Sequence, residues 1–412
     1  MKISALKGTK DILPKEQKLR DYIQKTILET YTANGFERIT TPILEDIENL
    51  DKSDGGDNLN LIFKILKRGE KLQTILNKFP IDEVSLSDIG LRYDLTLPLT
   101  RFFAANRNNL QYPFKSIQMD KVFRAEHPQK GRSREFIQCD IDIIGDASMN
   151  AEVELINVTA TALQNIGITD FTININDRKV LRALLENIGF ASESLDSVCI
   201  TFDKLDKIGI DGVAAELTEK QCPSNGIKSL VDLVQNSNLT LDDVAVKCSD
   251  PSVADSLKYI ISTVQKISGG KYQIKYSPSL VRGQGYYTGT IFEVTSPKFS
   301  GAIAGGGRYD NLINKFIGVS VPSVGFSIGF ERICNILLDN DYQIPGLKEK
   351  CALLYDEETD FVQVLTMADK LRKDYNVTIL HKNKKIGPMY DMLEKQGYTK
   401  FAQFKDNELL LK

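Results

Sequence analysis

Val122–Asp142 reads VFRAEHPQKGRSREFIQCDID. Two alternating segments flank a basic loop, which predicts two short strands joined as a hairpin. Arg124 and Glu126 precede the loop. Gln138, Asp140 and Asp142 follow it at one parity, with Ile137, Cys139, Ile141 and Ile143 between and beyond them. Successive side chains point to opposite faces of a strand, so the hairpin has an apolar back and a front of one arginine, three carboxylates and an amide. A solvated face can carry such a set. Phe136 has the same parity, however, and a wet face has little reason to hold a ring. Arginine, carboxylate, amide and aromatic together suit a small zwitterion and a nucleotide.

The surrounding chain bounds the possibilities. Its 412 residues predict two or three domains, and 42% hydrophobic with 26% charged residues is the composition of a soluble protein with an ordinary core. A net charge of −3 argues against coating nucleic acid through bulk charge, although a local basic loop can still grip one substrate. The start, MKISALKGTKDILP, lacks the apolar run of a signal peptide, and no stretch approaches the ~18 apolar residues of a membrane helix, so a cytoplasmic location is expected. Cys139, Cys199, Cys222, Cys248, Cys334 and Cys351 show no CxxC spacing and read as reduced thiols. With His127 and His381 as the only histidines, a multi-histidine zinc site is excluded, and no side-chain metal site is assigned. GxSxG and GxxxxGK[ST] are both absent, so any ATP site works without a P-loop.

Helix signals frame Pro14–Ala33: Leu19, Ile23, Ile27 and Tyr31 recur every four residues, proline suits the first turn, and Asn34-Gly35 is a stop. FERITTPILE reads as a strand broken at Pro42, residues 50–90 as hairpins, and Leu91–Ala105 as a strand end entering a helix. A helix over 148–167 and a strand over 170–176 follow. Residues 177–268 turn helical and charged, and read as an inserted module. Strands resume at Lys271, GQG marks a bend, and GAIAGGGRYDNLI reads as a tight triple-glycine turn into a helix; the glycines of GQG and GGG serve either such turns or the close approach of a backbone to a ligand. Past a linker, residues 346–412 alternate strand and helix as a small α/β domain. An α+β fold is thus expected, with residues 1–176 and 269–340 as two parts of one core.

The arginines in these segments are Arg124, Arg132, Arg134, Arg282, Arg308 and Arg332. On strands and helix starts rather than exposed helix faces, they suggest polyphosphate and carboxylate binding through planar bidentate contacts. Asp94, Glu126 and Asp142 supply acids; Thr96, Gln138, Tyr286, Tyr287 and Tyr309 supply hydroxyl, amide and phenol groups.

The ordered series KGTKDILP, GFERITTPILE, FRAEHPQKGRSREFIQCDIDIIG, LVRGQGYYTGTIFEV, AGGGRYDNL and VGFSIGFERI closely resembles histidyl-tRNA synthetase, a class II aminoacyl-tRNA synthetase, over residues 5–340. The tail resembles a shortened anticodon-binding domain. The resemblance implies an antiparallel class II catalytic sheet with helices, and a homodimer built around Asn34–Glu45. It implies ATP as a substrate, Mg2+ carried mainly by ATP, histidine, and tRNA(His). Arg124 would grip the α-phosphate and the amino acid carboxylate, with Arg282 on the other side of that phosphate. Glu126 and Phe136 would bind adenine, and Arg332 the γ-phosphate. Asp94, Thr96 and Gln138 would hold the α-amino group; Asp142, Tyr287 and Tyr309, with Tyr286 beside them, would read the imidazole. Gln129, Lys130, Arg132 and Arg134 would approach the tRNA acceptor end. Asp94 and Asp142 stand where many relatives carry glutamate. A non-catalytic relative that regulates ATP phosphoribosyltransferase shares this core, but such subunits typically lack the tail and lose the ATP-gripping arginines.

Overall fold

The computed structural model describes residues 3–51, 60–77, 80, 83–128, 131–235, 240–246, 251–282, 285–383, 385–405 and 408–411. Two compact units divide the chain, Met1–Tyr342 and Gln343–Lys412.

The first unit opens with helix α1 (Pro14–Ala33), which buries Leu19, Ile23, Ile27 and Tyr31 on one stripe. Each fully buried aliphatic on that stripe contributes about 1.5–3 kcal/mol of transfer free energy. Strand β1 (Glu37–Arg38) follows, then a small antiparallel sheet of β2 (Leu44–Asp46), β3 (Lys64–Leu66) and β4 (Ser87–Leu91), in the order β2-β4-β3. Helices α2 (Ile47–Asp51) and α3 (Gly69–Leu76) lie within this stretch, so the expected run of hairpins over 50–90 includes helix as well as strand. Helix α4 (Thr96–Asn106) leads to β5 (Phe114–Phe123) and β6 (Glu135–Ile144). These two are the predicted hairpin, in register from Phe114↔Ile144 to Phe123↔Glu135.

Helix α5 (Asn150–Asn165) and β7 (Thr172–Asp177) precede six helices: α6 (Arg178–Asn187), α7 (Leu195–Phe202), α8 (Leu205–Glu219), α9 (Ser224–Gln235), α10 (Leu241–Ala245) and α11 (Pro251–Ser268). Helices α6 to α9 share a core of Leu181, Leu185, Phe202, Val213 and Leu230. Helix α11 packs on α5 and on β8 (Gln273–Tyr276) at the edge of the main sheet. Strands β9 (Thr290–Ser296), β10 (Phe299–Arg308) and β11 (Ser323–Gly329) complete that sheet, with α12 (Asn314–Ile317) before β11 and α13 (Phe330–Asp339) after it.

The large sheet runs β1-β5-β6-β11-β10-β9-β7-β8. Its six central strands are antiparallel neighbours, and only β1 and β8 join in parallel at the edges. Cys139 and Ile141 are fully buried on one face of β6, where α13 and α5 pack. Asp140 and Asp142 point to the other face and are just as inaccessible, so the polar front of the hairpin is the floor of a cleft rather than a wet surface.

The triple glycine is the clearest departure from expectation. Gly305, Gly306 and Gly307 lie inside β10, paired with β9 and β11, and make no turn. They are glycines because of crowding: a Cβ on Gly306 would meet the Gly325 carbonyl oxygen at 2.0 Å, and one on Gly307 the Thr290 carbonyl oxygen at 2.7 Å.

The second unit has β12 (Lys350–Tyr355), α14 (Phe361–Leu371), β13 (Asn376–His381), α15 (Ile386–Lys395), β14 (Tyr398–Lys405) and β15 (Glu408–Leu411). Its sheet, β13-β12-β14-β15, is parallel except for the last pair. Alternate residues of β12 face opposite helices: Cys351 and Leu353 pack with Val364 and Ala368, and Ala352 and Leu354 with Met389 and Leu393.

Among the described residues no helix is long and apolar enough to cross a membrane. The described cysteines are free, four of them buried, and Cys248 lies outside the described residues.

Candidate active site

One cleft of about 290 Å³ on the polar face of the sheet is lined by Asp94, Thr96, Arg124, Glu126, Arg132, Phe136, Gln138, Asp142, Arg282, Tyr286, Tyr287, Tyr309 and Arg332. Thirteen residues singled out from sequence therefore converge from β6, the start of α4, the start of α13 and the loops before α4, after β5, before β9 and after β10. Of the remaining candidates, Arg134 is not on the cleft wall, and Gln129 and Lys130 lie outside the described residues. Arg308 is also elsewhere. Its guanidinium clamps Glu152 through Nε at 2.6 Å and Nη2 at 2.7 Å, a structural tie from β10 to α5.

Part of the cleft lining is acidic and phenolic. Tyr309 donates its hydroxyl to Asp142 Oδ1 at 2.6 Å. The opposing residue on β11 is Gly325, where a Cβ would sit 2.0 Å from that same oxygen. The Tyr286 ring lies 5.0 Å from Tyr287 and 6.0 Å from Tyr309 in edge-on contacts. Asp94 caps the first turn of α4, accepting the Leu97 N–H at 3.2 Å. The buried Oδ2 atoms of Asp94 and Asp142 have no hydrogen-bond partner among the described residues. Burial pushes Asp94 up to about 6, and it pushes Asp142 well above the usual carboxylate range, with Asp140 adding to the effect. Two desolvated carboxylates with open lone pairs call for a cationic or N–H-bearing ligand.

Arginines complete the lining, with Arg282 against the Tyr287 hydroxyl. Arg124 is fixed by Nε to the Tyr93 carbonyl oxygen at 2.9 Å and by Nη2 to Gln138 Oε1 at 3.3 Å, and its guanidinium lies 5.1 Å from the Phe136 ring centroid. Arg282 pairs with Glu293 at 3.1 Å. It follows Val281, which packs against the core of the inserted helices. Arg332, in the first turn of α13, donates to the Ala302 carbonyl oxygen and lies 5.8 Å from the Phe299 ring. Burial lowers its pKa, and the nearby Arg132 and Arg282 cations lower it further. That mutual repulsion marks an electropositive pocket arranged for a polyanion. Glu126 and Arg132 approach to 3.5 Å at the mouth.

Several participants have no site role in the sequence reading: Asp140, Glu293, Ser327 and the β11 glycines Gly325 and Gly329 all stand in or beside the cleft. Asp140 was in plain view, at the same parity as Gln138 and Asp142. The triple glycine makes no turn, since a run of three signals one only while the cross-strand partners are unknown, but Gly305, Gly306 and Gly307 do line the cleft, where a close approach of backbone is expected of them.

A mainly antiparallel sheet whose cleft brings carboxylates and phenols together with arginines is the catalytic core of a class II aminoacyl-tRNA synthetase. Residues 8–333 match the family described as Histidyl-tRNA synthetase, and the chain belongs to that family. A histidine–tRNA ligase of Leifsonia xyli subsp. xyli is 38% identical over 416 residues, covering 97% of this chain and 95% of that protein. Among solved structures, a histidyl-tRNA synthetase from Nostoc sp. superposes with a TM-score of 0.78 at 26% identity, over 100% of this chain and 97% of the other. A Bacillus halodurans protein described as an ATP phosphoribosyltransferase regulatory subunit/histidyl-tRNA synthetase gives 0.75 at 20% identity, covering 98% of each chain, a likeness of fold alone.

Proposed function

We propose that this chain is a histidine–tRNA ligase. It activates histidine with ATP to histidyl-adenylate and pyrophosphate, then transfers the histidyl group to tRNA(His). The observation that carries this reading is the shared cleft, which brings Asp94 and Asp142 oxygens without a hydrogen-bond partner among the described residues, and Tyr309, together with Arg124, Arg282 and Arg332.

In the first step a histidine carboxylate oxygen attacks the α-phosphorus of ATP. A new P–O bond forms, the bond to the β-phosphate oxygen breaks, and pyrophosphate leaves. No proton needs to move at the reacting centre, so positioning and charge stabilisation are the protein's task. Arg124 takes the α-phosphate and the amino acid carboxylate, and Arg282 lies across that phosphate. Arg332 holds the γ-phosphate. Glu126 accepts from the adenine amino group, and Phe136 stacks on the base. Mg2+ enters with the triphosphate. Asp94, Thr96 and Gln138 hold the α-ammonium; Asp142, Tyr287 and Tyr309 read the imidazole, with Tyr286 packed beside them. A wrong amino acid would leave these groups unpaired, at about 1–3 kcal/mol each.

In the second step the ribose hydroxyl of the terminal adenosine attacks the adenylate carbonyl carbon, the carbonyl–phosphate oxygen bond breaks, the hydroxyl proton passes to the departing phosphate, and AMP leaves. Arg132 and Arg134 face the acceptor end. The second unit contacts the anticodon, and the enzyme works in the cytoplasm as a homodimer joined around Asn34–Glu45. The regulatory alternative is not favoured, because Arg124, Arg282 and Arg332 are all in the cleft and the α/β tail is present.

The test is ATP–pyrophosphate exchange with the purified protein, each amino acid in turn. Exchange with histidine alone is expected. Histidine binding by calorimetry without any exchange would replace this reading with the regulatory one.

A further inference from the structure

Asp140 has no part in the scheme above, yet it is 4% exposed on the floor of the cleft. It lies on β6 midway between Gln138 and Asp142 and opposite Ser327 on β11. Gln138 Nε2 donates to Asp140 Oδ1 and Oδ2, both at 3.3 Å, and to Ser327 Oγ at 3.2 Å. On its other side, Gln138 Oε1 accepts from Arg124 Nη2 at 3.3 Å. A primary amide has two faces of opposite polarity, and rotation by half a turn would present its N–H groups where its oxygen had been. To a substrate ammonium, one face is an acceptor and the other a repulsive donor.

We propose that Asp140 is a positioning residue for substrate binding. By capturing the Gln138 NH2 group together with Ser327, it holds the amide oxygen toward Arg124 and the substrate α-ammonium and excludes the flipped amide. This rests on reading the cleft as the histidine site. Asp140 needs no contact with substrate to act. Neither does it need its charge, because a neutral carbonyl oxygen in the same place accepts the same hydrogen bonds. Burial pushes its carboxyl up to about 7, and both of its protonation states retain an acceptor for the amide.

The experiment is a double-mutant cycle in histidine-dependent exchange, with the full-length protein and the variants Asp140→Ala, Asp140→Asn, Gln138→Ala and Gln138→Ala/Asp140→Ala. Asp140→Ala should raise the histidine KM roughly 10- to 100-fold, the range for losing a hydrogen bond to a charged group, while kcat and the ATP KM move little. Asp140→Asn should restore most of that loss. In the Gln138→Ala background, Asp140→Ala should change the histidine KM by less than about twofold, since there is no amide left to orient. Additive effects, or an Asp140→Asn variant as impaired as Asp140→Ala, would overturn the positioning role and assign Asp140 a direct charge on the substrate. If Asp140→Ala does not fold, Ser327→Ala takes its place; the expected result is a smaller rise in histidine KM that also vanishes beside Gln138→Ala, and an additive effect there again defeats the proposal. Wild-type protein without histidine-dependent exchange defeats the underlying reading instead, and the two failures are distinct.

Discussion

Arg20 and Glu331 face each other across the molecule in a two-pronged ion pair, Nη1 to Oε2 and Nη2 to Oε1, both at 2.7 Å. Arg20 belongs to α1 and is 6% exposed; its guanidinium also lies 4.8 Å from the Phe330 ring centroid. Glu331 additionally accepts the Ile137 N–H at 3.4 Å, so one carboxylate ties α1, β6 and the first turn of α13 together. Arg332 is the next residue. The pair thus sets the azimuth of the helix that delivers this arginine to the cleft.

Replacing Arg20 by methionine keeps the apolar stem and strands Glu331 as an uncompensated, mostly buried charge. Breaking such a pair from one side costs roughly 3 kcal/mol. A lower urea midpoint is expected, together with a raised ATP KM in exchange and a smaller change in histidine KM. Equal shifts in both KM values would mean that the pair supports the fold without directing Arg332.

Gly305 faces Arg282 so closely that a Cβ would sit 2.4 Å from its Nη1. The obstructing atom is the tip of a flexible side chain and the strand backbone is ordinary, so Gly305→Ala should fold and simply push the guanidinium aside. Exchange should then fall by about 10²–10³, the scale for losing one fixed charge-stabilising donor. Arg282→His should lose a similar amount. A Gly305→Ala protein with wild-type exchange would show that Arg282 does not act from its place over β10.

Much of this architecture was legible in residues 122–142, because period-two alternation assigns faces without knowledge of the partner strands. The same alternation placed Gln138 and Asp142 together correctly. It could not tell a buried polar face from a wet one, since that depends on what covers it. Helix α1 was readable from its four-residue spacing and its stop at Asn34-Gly35. The glycines of β10 were not, because their cause is the Gly325 carbonyl and the Arg282 guanidinium, both distant in sequence. Arg308 failed for a related reason: an arginine committed to Glu152 looks, in sequence, like one committed to a phosphate.

The raised carboxylates predict an inverted pH dependence of stability in the ligand-free protein. Asp94 ionises near 4 in the unfolded chain but holds its proton to about 6 when folded, and Asp140 to about 7. Between those values the folded state binds more protons, so their contribution to stability falls as pH rises from about 4 to 7. Asp94→Asn removes its share of that cost while keeping an acceptor for the Leu97 N–H. It should stabilise the protein more at pH 8 than at pH 5, by a difference on the order of 1 kcal/mol seen as a larger gain in Tm at pH 8, while weakening histidine activation. A Tm gain of the same size at both pH values would contradict the assignment of a raised pKa to Asp94.

Gly8 holds the start of the chain against the hairpin loop. Its φ of +90° suits glycine, its carbonyl oxygen accepts the Arg134 N–H at 2.8 Å, and a Cβ would lie 2.8 Å from both Arg134 Cγ and Pro128 Cγ. Gly8→Val therefore strains its own backbone and displaces the two side chains that shape the base of this loop. Arg134 Nε donates to the Glu126 carbonyl oxygen at 3.2 Å, but the adjoining main chain is also secured through the Ala125 N–H to the Leu61 carbonyl oxygen at 2.8 Å, so Glu126 should stay in the cleft. Transfer of histidine to tRNA should drop substantially while pyrophosphate exchange stays near wild type, and Arg134→Ala should show the same split. The two assays on one preparation decide it: a parallel loss in both would place this contact with the adenine side of the cleft rather than with the acceptor end of the tRNA.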